Sequence, residues 1–153
     1  MKRALITGVF GQDGSYLAEL LFSKGYEVHG VVKKNLSEMS NRIKKHLISK
    51  GIYLTLHECN LNCFDEVLAL IKLVKPDELY HVAATHYSSA STPIQRNKIS
   101  RKLFKDNILS TSNIIHGIYD ISKTTRLVLA STCMVYDDCK TSPQDETINY
   151  ATK

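Results

Sequence analysis

Apolar positions fall into two alternating patterns along the chain. Short dense runs at Arg3–Thr7, Tyr26–Val32, Ile52–His57, Glu78–Val82 and Arg126–Ala130 have the length and composition of buried strands. Between them the apolar residues spread to helical spacing. Leu17, Leu20 and Leu21 mark a helix over Ser15–Lys24, with Gly25 as its stop. The same spacing predicts helices over Asn41–Ser49, Phe64–Val74 and Lys98–Ile121, while the tail from Asp137 onward is polar and irregular. Strands alternating with helices make βαβ units, hence a parallel sheet covered on both faces. Right-handed crossovers turn such units into a doubly wound α/β sheet. No repeat, low-complexity tract or linker interrupts the series, so residues 1–153 are expected to form one domain.

Composition narrows this little. A chain of 153 residues with 43% hydrophobic and 23% charged residues excludes a disordered tail, a collagen-like repeat and a disulfide mini-protein. The net charge of +5 is partly local. One cluster comprises Lys33, Lys34, Arg42, Lys44, Lys45 and Lys50, and a second Arg96, Lys98, Arg101, Lys102 and Lys105. Such clusters are solvated helix faces or sites for a phosphorylated small molecule. Aromatic residues do not alternate with them in the pattern a nucleic-acid platform would want, so nucleic acid is not an expected partner. The opening apolar run is too short for a signal-peptide core and no stretch of 18 apolar residues occurs, so neither membrane attachment nor export is expected. The expected compartment is the cytoplasm, with reduced thiols. Cys59, Cys63, Cys133 and Cys139 lack the paired C-x-x-C spacing of a zinc ribbon, and no metal is expected.

Candidate chemistry starts at Thr7-Gly8-Val9-Phe10-Gly11-Gln12-Asp13-Gly14, three glycines at intervals of three between the first strand and the first helix. In that context Gly8 lets the chain turn off the strand. Gly11 lets backbone approach a pyrophosphate, and Gly14 lets the helix pack closely on the sheet. The free N–H groups and the positive dipole end of the helix would then face the phosphates. This predicts a Rossmann-type dinucleotide-binding domain.

The G-x-x-G-x-x-G spacing resembles the extended short-chain dehydrogenase/reductase superfamily. Asn107-Ile-Leu-Ser-Thr-Ser-Asn113 is similar to its helix-four signature, Val82-Ala-Ala84 to the end of its fourth strand, and Ser131-Thr-Cys-Met-Val-Tyr136 to the segment that carries its catalytic hydroxyl. Within the superfamily, Gly11 to Leu21, Lys24 to Gly30, Asn41-Arg-Ile43 and Lys75 to Tyr80 most resemble the GDP-mannose 4,6-dehydratase family. The resemblance implies a nucleotide-sugar substrate similar to GDP-mannose, and a homo-oligomer formed through helices flanking the sheet. It also implies NADP as the cofactor. The second strand ends Val31-Val32-Lys33-Lys34 without the carboxylate that would take an NAD ribose, and Lys33 and Lys34 stand where a 2′-phosphate would lie. Asn60 and Leu61 correspond to the adenine end, Ala83 and Ala84 to the ribose wall, and Thr85 and Ser91 to the substrate side. Phe10, Gln12 and Asp13 belong to the phosphate turn.

For catalysis the resemblance implies a tyrosine with a lysine four residues later, assisted by a hydroxyl after the fifth strand. Thr132 fits the hydroxyl, with Ser131 beside it. Tyr150 and Lys153 are three apart, and alignment puts the family's pair beyond Lys153. The chain thus reads as a cofactor-binding part without the pair and without the substrate domain, inactive by itself. Met134 occupies the position where the family has the glutamate that moves the proton during elimination of water. That leaves open a nucleotide-sugar 4-epimerase or ketoreductase, or a cofactor-binding module without catalysis.

Overall fold

A computed structural model of the chain describes residues 1–85, 93–132, 136 and 143–148, apart from the side chains of residues 93–99 and 101. Among the described residues five strands and four helices alternate: β1 Arg3–Thr7, α1 Gln12–Ser23, β2 Glu27–Val32, α2 Glu38–Ser49, β3 Thr55–Glu58, α3 Phe64–Val74, β4 Glu78–His81, α4 Pro93–Ile121 and β5 Arg126–Leu129. All pairings are parallel and the strand order is β3-β2-β1-β4-β5. The doubly wound α/β class read from the sequence is the observed one.

Alternation along β1 builds two cores from one strand. Leu5 joins Val31, Leu79 and the inner sides of α3 and α4, through Val67, Ile71, Ile114 and Ile118. Ala4 and Ile6 face the other way, into a layer with Ala18 and Leu21 of α1 and Leu47 of α2. Ala4, Leu5 and Ile6 are each at most 1% exposed, which is why the central strand is apolar at successive positions.

Element boundaries moved where caps decide them. Helix α1 begins at Gln12, three residues before the expected Ser15, so Gln12, Asp13 and Gly14 form its first turn. Helix α2 begins at Glu38 because the Ser37 hydroxyl caps it, accepting the Ser40 N–H at 3.1 Å. Helix α4 starts at Pro93, a residue suited to a first helical position, and runs to Ile121. Strand β3 shortens to Thr55–Glu58, and Ile52 becomes a core contact of Leu47 and its neighbours. In the polar tail, residues 143–148 are turn and bend; residues 137–142 and 149–153 lie outside the described residues.

Candidate functional site

Because every strand is parallel, the loops after β1, β2, β3, β4 and β5 leave from one edge of the sheet, its carboxyl edge. The chain crosses from one half of the sheet to the other between β1 and β4, which are hydrogen-bonded neighbours. Open α/β sheets offer a ligand crevice at that switch point.

Backbone packing makes the turn after β1. Gly8 has φ of +71°, a left-handed conformation that favours glycine, and a Cβ there would sit 2.9 Å from Ala83 Cα. Gly8 accepts the Gly11 N–H at 2.8 Å, closing the turn. A Cβ on Gly14 would collide with the Gly8 carbonyl and approach Val9 Cα to 2.9 Å. The close approach enabled by the third glycine is therefore to the turn itself. Gly11 differs from both. Among the described residues a Cβ there would meet only Gly8 O, at 3.1 Å. Gly11 is also the N-cap of α1 and offers no side-chain hydrogen bond to the first turn. The helix thus presents unsatisfied N–H groups and its positive end to solvent at an exposed Gly11-Gln12-Asp13 step. That arrangement suits an anion approaching the backbone closely. The Phe10 side chain instead turns inward and is 8% exposed, in the core beside Leu47 and Ile52.

The other loops are held by side chains. Thr7, at the end of β1, accepts the Ala83 N–H at 3.2 Å and lies 2.7 Å from His81 Nδ1. Thr7 and His81 are register partners, 1% and 3% exposed. Burial holds the His81 imidazole below its ordinary pKa. Asn107, on α4, grips Thr85 twice. Its Oδ1 accepts the Thr85 N–H and its Nδ2 donates to the Thr85 carbonyl, both at 2.9 Å. The same helix reaches the loop after β3, where Asn113 Nδ2 donates to the Leu61 carbonyl at 2.9 Å and Asp106 accepts from Asn62 at 2.9 Å. Asn60 Oδ1 accepts the Asn62 N–H at 3.1 Å, so its amide oxygen already serves the loop. Leu61 packs partly against the core. Cys59, just before it, is a core thiol pushed up to about 11, first by burial and then by the nearby Glu66 carboxylate.

Lys33 and Lys34 follow β2 directly and are exposed. Among the described residues neither takes part in the Lys2–Glu78 or Lys50–Glu19 ion pair or in the contact between His29 and Glu27. Ala84 and Thr85 are exposed after β4, as are Ser131 and Thr132 after β5. Gly8, Gly11, Gln12, Asp13, Gly14, Lys33, Lys34, Asn60, Leu61, Ala83, Ala84, Thr85 and Thr132 therefore share one edge of the sheet. Ser91 lies outside the described residues, as do Met134, Tyr150 and Lys153.

Residues 5–153 match the model of the GDP-mannose 4,6 dehydratase family. The chain belongs to that family. It is 35% identical over 153 residues to a GDP-mannose 4,6-dehydratase of Vibrio cholerae, covering 95% of this chain and 39% of that protein. Thus it spans about two fifths of the length of this relative. Among solved structures, the UDP-Glc/GlcNAc 4-epimerase of Campylobacter jejuni superposes with a TM-score of 0.80 at 23% identity, over 99% of this chain and 43% of that one. The Bordetella bronchiseptica enzyme WbmH, solved in complex with NAD+, superposes with a TM-score of 0.68 at 26% identity, over 89% of this chain and 40% of that one.

Sequence reasoning missed three features of this edge. Gly30 of β2 has no room for a Cβ, which would sit 2.7 Å from Val9 Cγ1, so its small size shapes the turn from below. His81 and the role of Asn107 also went unread, because their partners are 74 and 22 residues away. The chain also holds two Tyr-x-x-x-Lys spacings. In one, the Lys123 ammonium lies 4.9 Å from the centre of the Tyr119 ring, at the end of α4 that leads into β5, opposite the carboxyl edge. The other joins Tyr136 to Lys140, and Lys140 lies outside the described residues.

Proposed function

We propose that residues 1–153 are the NADP-binding part of a nucleotide-sugar 4,6-dehydratase whose substrate is similar to GDP-mannose. One observation carries this reading. The glycine turn exposes the uncapped start of α1 at the switch point between β1 and β4, with two ammonium groups beyond β2. The family membership supports the dehydratase part, and the NAD+ complex of WbmH supports a nicotinamide dinucleotide at this fold without choosing NADP over NAD.

In this reading the pyrophosphate lies against the backbone of Gly8 to Gly14, where Phe10, Gln12 and Asp13 contribute main chain. Lys33 and Lys34 take the 2′-phosphate as point charges. Asn60 and Leu61 border the adenine, its amide NH2 group being the donor that Asn60 offers. Ala83 and Ala84 wall the ribose, Thr85 and Ser91 meet the sugar nucleotide, and Thr132 hydrogen-bonds the hydroxyl being oxidised. The nicotinamide supplies hydride acceptance and return. Proton transfer would fall to a tyrosine–lysine pair of the kind the family uses, and binding of the dinucleotide is the part assigned to the residues named here. The site of action is the cytoplasm. Among the described residues no helix is long and apolar enough to cross a membrane.

The two lysines give the cofactor part its test. NADP should bind at least about tenfold tighter than NAD, a difference of about 1.4 kcal/mol. Lys33→Gln with Lys34→Gln should erase the preference without changing NAD affinity. Equal affinities in the unaltered chain would refute the NADP assignment.

Met134 favours a second reading, a 4-epimerase or ketoreductase. Product mass separates them in the enzyme that contains these residues. Dehydration removes one water from GDP-mannose and epimerisation leaves its mass unchanged, whereas a ketoreductase would leave GDP-mannose intact and add two hydrogens to a keto-sugar nucleotide, a hydride from the reduced nicotinamide and a proton.

A homo-oligomer belongs to the same proposal. Phe104, Ile108, Ile115 and Tyr119 are exposed and line one outer stripe of α4. In an antiparallel pair of α4 helices about a two-fold axis, Phe104 would meet Tyr119 and Ile108 would meet Ile115. Ile108→Asp should then convert the oligomer to monomer in sedimentation, whereas an unchanged mass contradicts this surface.

A further inference from the structure

We propose that His81 is a positioning residue whose neutral imidazole holds the loop after β4 in place, so that its protonation loosens Ala83 against the glycine turn and weakens dinucleotide binding. The inference rests on the turn being the dinucleotide site, as proposed above.

Hydrogen-bond accounting around Thr7 leads there. A threonine hydroxyl has one hydrogen to give and two lone pairs to accept with. The Ala83 N–H takes one lone pair at 3.2 Å. The assignment that uses the remaining hydrogen sends it to His81 Nδ1, 2.7 Å away, which leaves that nitrogen bare and the ring hydrogen on Nε2. A second proton on the ring must go to Nδ1 and would point at the hydroxyl hydrogen. Thr7 would then have to turn its hydrogen elsewhere, at a position only 1% exposed, while accepting from two donors at once. The longer bond, to Ala83, is the one that yields. Ala83 Cα lies 2.9 Å from the point a Gly8 Cβ would occupy, so displacement of Ala83 is felt directly by the turn.

His81 projects to the side of the sheet covered by α3 and α4, the side of Leu5 and Leu79. Its strand neighbours at that level are Thr7 of β1 and Leu129 of β5, neither of them titratable. Among the described residues the titratable side chains on the covering helices are Asp65, Glu66 and Lys72 of α3, and Lys102, Lys105, Asp106, His116, Tyr119 and Asp120 of α4. All are exposed except the half-buried Asp106, and burial alone accounts for the lowered basicity of His81. On the same face, Arg3 of β1 and Glu27 of β2 pair near the start of their strands and His29 of β2 is level with Leu5, while His57 of β3, hydrogen-bonded to His29, is level with Thr7 and His81 but separated from His81 by β2 and β1.

Electrostatics argues for the opposite sign. An imidazolium near the phosphates would attract them and tighten binding at low pH, whereas loosening the loop weakens it. Calorimetric titration with NAD, which lacks the 2′-phosphate that titrates near neutrality, reads the sign between about pH 8 and about pH 5. The unaltered chain should lose on the order of tenfold in affinity, all of it below the usual imidazole range, because burial lowers the pKa. His81→Asn, which keeps an acceptor close to the Nδ1 position and does not titrate, should bind with little pH dependence. Parallel loss in both proteins would assign the effect elsewhere, to His57 for example, and overturn the proposal, as would tighter binding at low pH.

Nuclear magnetic resonance on the unaltered chain keeps the test independent of that variant. The Ala83 amide should titrate with the His81 ring without any ligand, and NAD should lower the His81 pKa further by reciprocity. An Ala83 amide indifferent to His81 overturns the coupling. A chain that is folded at about pH 8 and binds no dinucleotide refutes the site reading instead, and leaves the coupling to be judged by the amide.

Discussion

Two loops border the same crevice and are built on opposite principles. The turn after β1 is fixed by side chains that are absent. Gly8 and Gly14 bring backbone against backbone, and a single methyl on either would enter occupied space. The loop after β4 is fixed by side chains that arrive from elsewhere, Thr7 from β1 and Asn107 from α4. A steric device of the first kind is all-or-none. A hydrogen-bonded device can be loosened one bond at a time, and it can respond to a proton.

Graded damage is the way to test that difference. Gly14→Ala should be the most severe change, since its methyl would collide with the Gly8 carbonyl inside the first turn of α1. A loss of more than about 4 kcal/mol is expected, enough to leave the chain unfolded in a denaturant titration. A folded Gly14→Ala domain of near-normal stability would show that the turn yields more readily than its packing implies. Thr7→Val keeps the shape and leaves the Ala83 N–H and His81 Nδ1 without their partner. About 2–3 kcal/mol should be lost, with fast amide exchange confined to the loop after β4. Asn107→Asp is milder. It keeps the acceptor for the Thr85 N–H and loses the donor to the Thr85 carbonyl, so about 1 kcal/mol should go and the Thr85 amide should stay protected. Lys33→Gln with Lys34→Gln, at two exposed positions, should stay within about 0.5 kcal/mol of the original stability. If the lysines matter more to stability than Thr7 does, the division between a scaffold and its solvent-exposed charges is wrong.

The same contrast explains what could be read in advance. The glycine turn is a local pattern, with spacing and context inside eight residues, and its position between β1 and α1 was legible. The strands were legible too, because burial on both faces demands apolar residues at successive positions, as in Ala4-Leu5-Ile6. The start of α2 was misjudged because a serine cap at Ser37 outweighed the weak apolar spacing that followed it. Phe10 stands between the glycines of the turn and its ring belongs to the core beneath, a direction that the eight-residue pattern does not give. The bond between Thr7 and His81 joins residues 74 apart, and no local pattern announces it. A buried histidine beside a strand-end threonine becomes visible only once β1 and β4 are known to be neighbours.

The central claim is that the exposed start of α1 receives the dinucleotide. Gly11 tests it most directly, since among the described residues a Cβ there would meet only Gly8 O. Calorimetric titration of NADP into the folded chain and into Gly11→Val, with stability measured alongside, is the decisive measurement. Saturable one-to-one binding to the chain is expected, with at least about a hundredfold weaker binding to a variant that remains folded. Equal binding by the two proteins would place the cofactor elsewhere and contradict the account.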